Sequence, residues 1–188
     1  MAAGSRVAPL PVKVCEEAAS ASSPLEEEIL DLFNRYRAPL LRYLLSLGLR
    51  IQDGEETVQE VFLALFRHLQ AGKPRTNLRA WIFTTGHHLA LKQRMREERR
   101  SRLHCPEELA NNQIDPEPGP REHVEYAERH RLLMAVVRVL PETDRCCLLL
   151  RAEGLRYRDI ARALGISLGA VSLSLGRSLA RLANVYKC

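Results

Sequence analysis

The sequence predicts an all-α protein: two small helical domains joined by a flexible, acidic, Pro-rich linker, the second domain containing a helix-turn-helix. Three observations carry this reading. Apolar residues recur at spacings of three and four through most of the chain, the period of one helix face. No stretch alternates apolar and polar residues for the length of a strand. Hydrophobic residues make up 46% of the chain but aromatics only 5%, so its cores must be aliphatic, which favours helix-on-helix packing over a sheet.

Taken in order, residues 1–22 are rich in Ala, Ser, Val and Pro without a lasting period and read as a disordered leader. Ser23-Pro24-Leu25-Glu26 is a helix start, with Ser23 as cap, Pro24 at the first helical position and Glu26 closing a capping box. Leu25, Ile29, Leu32, Phe33, Tyr36, Leu40, Tyr43, Leu44 and Leu47 follow at helical spacing, and Pro39 should kink or split that helix. Gly48 to Gly54 reads as a connection. A second helix runs from about Glu55 to Leu69, with Val58, Val61, Phe62, Leu65 and Leu69 on one stripe. A third opens near Asn77, a favourable cap, with Leu78, Trp81, Ile82, Thr85 and Leu89 on its stripe. Its far end is basic, through Lys92, Arg94, Arg96, Arg99, Arg100 and Arg102.

Composition then shifts. Residues 103–124 hold Pro106, Pro116, Pro118 and Pro120 among Glu107, Glu108, Asp115 and Glu117, and form the linker between domains at 23–102 and 125–188. The helical period returns beyond it. Tyr157 to Leu164 is a short amphipathic helix, Gly165 is a tight turn of positive φ, and Ser167 caps a last helix running to about Tyr186. Small Ala161 suits a close helix crossing, and Val171, Leu175 and Leu182 return to the core. This is the pattern of a helix-turn-helix, whose second helix enters the DNA major groove.

Other properties bound the function. A formal net charge of +5 fits a nucleic-acid partner without requiring one. No apolar run approaches the roughly 20 residues of a membrane span, and Met1 to Ala21 lacks the apolar centre of a secretory signal. The chain therefore reads as cytoplasmic, without membrane insertion. Five Cys, at 15, 105, 146, 147 and 188, are odd in number and irregular in spacing, which argues against a disulfide framework.

Two further stretches extend the pattern. Leu140-Pro141-Glu142-Thr143-Asp144-Arg145, then Leu148-Leu149-Leu150-Arg151-Ala152-Glu153-Gly154-Leu155, precede the helix-turn-helix. That order resembles the C-terminal promoter-reading domain of RNA polymerase sigma factors. Independently, Phe33 to Leu44, Glu55 to Leu63 and Asn77 to Phe83 resemble the other conserved sigma domain. The resemblance covers about residues 25–100 and 125–186 and is to the extracytoplasmic-function group of the sigma-70 family, which keeps only these two domains.

The resemblance implies roles. The helix matching Glu55–Leu69 grips the polymerase clamp helices, and its outer face offers Asp53, Glu56, Gln59, Glu60 and Leu63. One exposed Leu ringed by acids and amides makes a small anchor with a polar rim, although a solvated helix face has the same composition. The helix matching Leu78–Lys92 meets the minus-ten element and holds unstacked bases, for which Trp81, Phe83, His87, His88, Lys92 and Arg96 are available. Trp81 also sits on the apolar stripe and fits core packing equally. Primary sigma factors show two adjacent Trp here, whereas this chain has Trp81-Ile82, which implies weaker melting and stricter promoter choice.

For the minus-thirty-five element the candidates are Arg156, Arg158, Ser172, Leu173, Arg177 and Arg181, with Arg162 as a further phosphate contact. Helical spacing turns Gly169, Ser172, Leu173, Gly176, Arg177 and Ala180 towards the groove. Relatives commonly carry basic residues at the positions of Ser172, Ser174 and Leu179, and their absence leaves Arg177 as the main charged base reader. The implied partners are core RNA polymerase, double-stranded and melted promoter DNA, and an anti-sigma factor.

A stand-alone helix-turn-helix regulator explains residues 125–186 but leaves the Glu55–Phe62 and Asn77–Phe83 patterns unexplained. An enzyme or metal protein would have to use His87-His88, His104-Cys105 or Cys146-Cys147. Adjacent helical residues point about 100° apart and chelate poorly, and Cys146 and Cys147 sit beside an apolar run as packing thiols. No phosphate loop or triad is present in the sequence, so no catalytic residue, cofactor or metal is expected.

Overall fold

The computed structural model describes the backbone of residues 23–103 and 124–185, and side chains within 23–100 and 131–184. The leader and the linker lie outside the described residues. Seven helices and no strand occur among the described residues: α1 (Pro24–Ser46), α2 (Ile51–Gln70), α3 (Leu78–Leu103), α4 (Val124–Val139), α5 (Glu142–Ala152), α6 (Tyr157–Leu164) and α7 (Leu168–Val185).

The helix starts follow from local chemistry. Glu26 accepts from the Ser23 backbone N–H at 3.0 Å, so that donor is not orphaned at the entry to α1. Pro39 neither splits nor ends α1, which continues to Ser46 as one element. The expected connection up to Gly54 is shorter than the sequence suggested. α2 already begins at Ile51, and Gly54 is buried inside it because that helix crosses α1 closely. A Cβ on Gly54 would lie 2.9 Å from Leu41 Cδ1, and one on Gly86 of α3 would lie 2.8 Å from Leu40 Cδ1. Asn77 also departs from the expectation of an ordinary cap. It has φ +58, and its tie to α3 is its own carbonyl, which accepts from the Trp81 N–H at 3.1 Å. Asn is among the few residues that tolerate that left-handed backbone.

α1, α2 and α3 pack on one another as a front bundle around Leu40, Leu44, Val61, Leu65, Ile82 and Phe83. α4 to α7 form a rear bundle in which α7 meets α4, α5 and α6 around Leu150, Ile160 and Val171. The two bundles also touch. α3 lies along α6, and the buried apolar residues of front and rear form one continuous core cluster.

Candidate nucleic-acid interface

In the rear bundle the predicted turn is present as expected. Gly165 has φ +66 and its N–H side closes α6, while Ser167 Oγ accepts from the Ala170 N–H at 3.1 Å and starts α7. Val171 and Leu175 are buried and Leu182 half-buried. The outer face of α7 carries Gly169, Ser172, Leu173, Gly176, Arg177 and Ala180, which line one shallow open groove of about 640 Å³. Helical spacing assigned these same residues to the reading face. Leu173 is 61% exposed, and Leu168 and Leu179 are exposed beside it.

Arg177 is less free than the sequence suggested. Its Nη2 donates to Asp144 Oδ1 at 2.8 Å and its Nε to Oδ2 at 3.2 Å, a two-pronged pair between α7 and α5. The Asp144 side chain is 1% exposed and that of Arg177 50%. The hydrogen bonds from Arg177 hold the Asp144 carboxyl below its ordinary range, and the same pairing raises the guanidinium. Ser174 is not a groove position: it is buried, and its carbonyl accepts from Ser178 Oγ at 2.9 Å. Arg156, Arg158, Arg162 and Arg181 are all exposed.

On α3 the six candidates separate. Trp81 is half-buried, with its ring centroid 5.0 Å from that of His68 on α2. His88, Lys92 and Arg96 are exposed, and with Trp81 they recur at spacings of seven, four and four along one outer face. Phe83 does not join them. It is fully buried, edge-on to Tyr36 and Tyr43 at 6.5 and 5.9 Å, so in this structure it is a core residue rather than a stacking platform. His87 is likewise buried, with Nδ1 2.8 Å from the Tyr43 hydroxyl. Burial is the main cause that pushes its pKa down to about 4, with His88 next.

On α2, Glu56, Gln59, Glu60 and Leu63 form one exposed stripe, and Leu63 is 58% exposed. Asp53 stands apart from that stripe. It accepts from Arg50 Nε at 2.8 Å and from Gln93 Nε2 at 3.4 Å, so it fastens α2 to its own entry and to α3.

The pairs weighed as metal or catalytic sites are placed differently from any such site. His87 and His88 face core and solvent respectively, and Cys146 and Cys147 are buried free thiols. Burial pushes the Cys146 thiol up to about 11, with the neighbouring Tyr43 hydroxyl acting in the opposite sense, and it raises Cys147 too. His104-Cys105 lies outside the described residues. No single helix among the described residues is long and apolar enough to cross a membrane.

Comparison with known proteins places both bundles. The family model described as Sigma-70 region 2 matches residues 32–100, and that described as Sigma-70, region 4 matches residues 130–182. The chain is 26% identical over 163 residues to the ECF RNA polymerase sigma factor EcfG of Rhodopseudomonas palustris, covering 85% of each chain. It is 28% identical over 171 residues to the RNA polymerase sigma factor CnrH of Cupriavidus metallidurans, covering 88% of this chain and 90% of that one. Among solved structures, the sigma factor RpoE of Bartonella quintana, in complex with the anti-sigma factor NepR, aligns with a TM-score of 0.54 at 22% identity. That alignment covers 86% of this chain and 98% of that one.

Proposed function

The chain belongs to the sigma-70 family as an extracytoplasmic-function RNA polymerase sigma factor, and from that premise we propose how its surfaces divide the work of promoter-specific initiation. The observation that carries the proposal is the segregation of three exposed stripes onto three helices. The α2 stripe of Glu56, Gln59, Glu60 and Leu63 docks on core polymerase: an exposed leucine framed by acids is an apolar anchor with a charged rim. The α3 stripe of Trp81, His88, Lys92 and Arg96 holds the melted minus-ten strand, with one ring for stacking and cations for phosphates. The α7 face, with Arg156, Arg158 and Arg162 beside it, lies over the minus-thirty-five duplex.

The mechanism is differential binding and needs no active site. Polymerase docking positions α3, and the free energy of capturing unpaired bases there offsets the cost of separating the strands. We read the protein as a non-enzyme that acts in the cytoplasm and is held in check by an anti-sigma factor, as the name of the RpoE complex indicates for that relative. The region 2 match across residues 32–100 leaves a stand-alone helix-turn-helix regulator without support.

The test is a titration against core polymerase. Glu60→Lys combined with Leu63→Ala should weaken binding while far-UV circular dichroism stays unchanged. Undiminished affinity would remove this stripe from the docking surface. Start-site mapping with the reconstituted enzyme tests the promoter function itself.

A further inference from the structure

The two glycines of α7 have no counterpart inside the protein. A Cβ on Gly176 would meet nothing within 4 Å, and one on Gly169 only Ser167 Oγ at 3.9 Å. Neither has the positive φ that calls for glycine. They differ in this from Gly54 and Gly86, where a neighbouring leucine takes the place of the side chain. Gly176 lies in the helix interior, where glycine costs stability because it loses more backbone freedom than any other residue. The fold gains nothing from it, and the room it leaves is on the outer groove face. Leu173 stands between the two glycines, one turn from each, and is 61% exposed. Its side chain therefore projects over bare backbone on both sides. Arg177, the cation of this face, has Nε and Nη2 both donating to Asp144. An arginine–guanine pair needs two such donors side by side, so while the Asp144 pair stands Arg177 cannot form one. Exposed Arg156, Arg158, Arg162 and Arg181 supply positive charge for the phosphates around the face.

We infer that Leu173 reads thymine: Gly169 and Gly176 let the α7 backbone close on the major groove, and the leucine packs on the C5 methyl of a thymine in the minus-thirty-five element, which is thereby chosen through an A·T pair and not through an arginine–guanine pair. The inference rests on the minus-thirty-five reading above and names what that face selects. In the major groove the methyl marks thymine alone among the four bases, and an apolar side chain recognises it without a hydrogen bond. The first turns of a recognition helix are the part that meets base edges, and Leu173 is in the second turn of α7. Covering one methyl with hydrocarbon changes binding by roughly fourfold. That contact needs close approach, because dispersion and the exclusion of water both fail once a gap opens. A side chain at position 169 or 176 would hold the helix off by its own width, whereas two bare turns let the leucine reach the base.

The experiment uses the full chain bound to core polymerase on its mapped promoter. Thymines of the minus-thirty-five element are replaced one at a time by deoxyuridine, which lacks the methyl and keeps every hydrogen-bonding group. At one position the replacement should weaken promoter binding roughly fourfold. At that same position 5-methylcytosine should bind tighter than cytosine by a similar factor. Leu173→Ala should bind the thymine and deoxyuridine promoters alike, at the level wild type shows on deoxyuridine. Leu179→Ala, which removes an exposed leucine outside the groove lining, should keep the difference. Gly176→Leu should raise the melting temperature of the free chain and abolish the difference. Equal binding of all thymine and deoxyuridine promoters by wild type overturns the inference. So does a difference that survives Leu173→Ala or Gly176→Leu, or one that is lost in Leu179→Ala. Failure of the wild-type complex to start transcription would instead overturn the promoter reading itself, whereas normal initiation that ignores the methyl overturns this inference alone.

Discussion

α3 and α7 are both long helices with one face in a core and the other turned outward, yet their outer faces are made of different chemistry. α3 presents Trp81, His88, Lys92 and Arg96, and its basic run continues towards the linker. α7 presents Leu168, Leu173 and Leu179 around Ser172 and the small residues Gly169, Gly176 and Ala180. Its central cation, Arg177, is already committed to Asp144. The difference teaches that helix placement and helix chemistry are separate variables: in the proposed function both helices face DNA, but the outer face of α3 carries more of the unpaired cations that make phosphate binding strong than the groove face of α7 does. The front bundle should therefore supply most of the DNA affinity, while the rear contributes position and a modest preference.

The largest expected effect tests the division of α3 into a core side and a DNA side. Phe83→Ala removes a fully buried ring and should cost about 3–5 kcal/mol of stability in urea denaturation. Trp81→Ala should cost clearly less stability and weaken minus-ten binding more. The reverse ranking would put Phe83, not Trp81, on the DNA.

Next in size is a pH effect peculiar to the front bundle. The folded protein favours neutral His87, so the unfolded chain takes up that proton first. Stability is complete above about pH 6.5 and declines as pH falls towards about 4, by a total approaching about 3 kcal/mol. His87→Gln, which keeps an acceptor for the Tyr43 hydroxyl, should flatten that decline. An unaltered pH profile would show that another group is responsible.

The Asp144–Arg177 pair separates structure from reading in the rear bundle. Arg177→Ala should lower affinity for the minus-thirty-five duplex by roughly 1–3 kcal/mol and relax its sequence preference. It also leaves Asp144 buried without its partner, so rear-bundle stability should fall too. Arg177→Lys distinguishes the two roles. It keeps one charge near Asp144 but loses the planar fork, so stability should recover more than DNA preference does. Equal recovery of both would make Arg177 a brace rather than a reader.

The smallest effect sharpens the contrast directly. Leu173→Arg places a cation on the open α7 face, and it should steepen the salt dependence of duplex binding by about 0.9 in logarithmic slope. No change in slope would mean that this face does not approach phosphate.

Much of this was legible from local sequence because it is locally determined. Gly165, Ser167 and Val171 fix the helix-turn-helix through a turn, a cap and one core contact, all within seven residues. The reading face of α7 followed from helical period alone. What escaped was set across distance. Asp144 and Arg177 are 33 residues apart, and nothing in the period of α5 marks Asp144 as the residue beneath Arg177. Phe83 and His87 were read as available because aromatic and basic side chains suit bases. Their burial depends on Tyr36 and Tyr43 arriving from α1. One signal did exist: Ile82, Phe83, Gly86 and Ala90 form an apolar and small stripe that a helix wheel assigns to the core, with His87 on its edge. Ser174 is buried although its side chain is polar. A hydroxyl normally points to water, but here the helix encloses it, and the nearby Ser178 hydroxyl is satisfied by its i−4 carbonyl.

The two close approaches onto α1 set a rule for how this sequence can drift. Leu40 presses on Gly86 and Leu41 on Gly54, so adjacent residues of one helix fix its distance to two others. A methyl group added at either glycine meets a leucine terminus at under 3 Å; Leu40 is fully buried and has little room to yield, whereas Leu41 is half-buried beside an open groove and yields more readily. Volume at these sites is therefore shared between partners. An alanine at 86 becomes acceptable with a shorter residue at 40, and one at 54 with a shorter residue at 41. Exchanges at these positions should accumulate in pairs, and each pair should leave the other untouched.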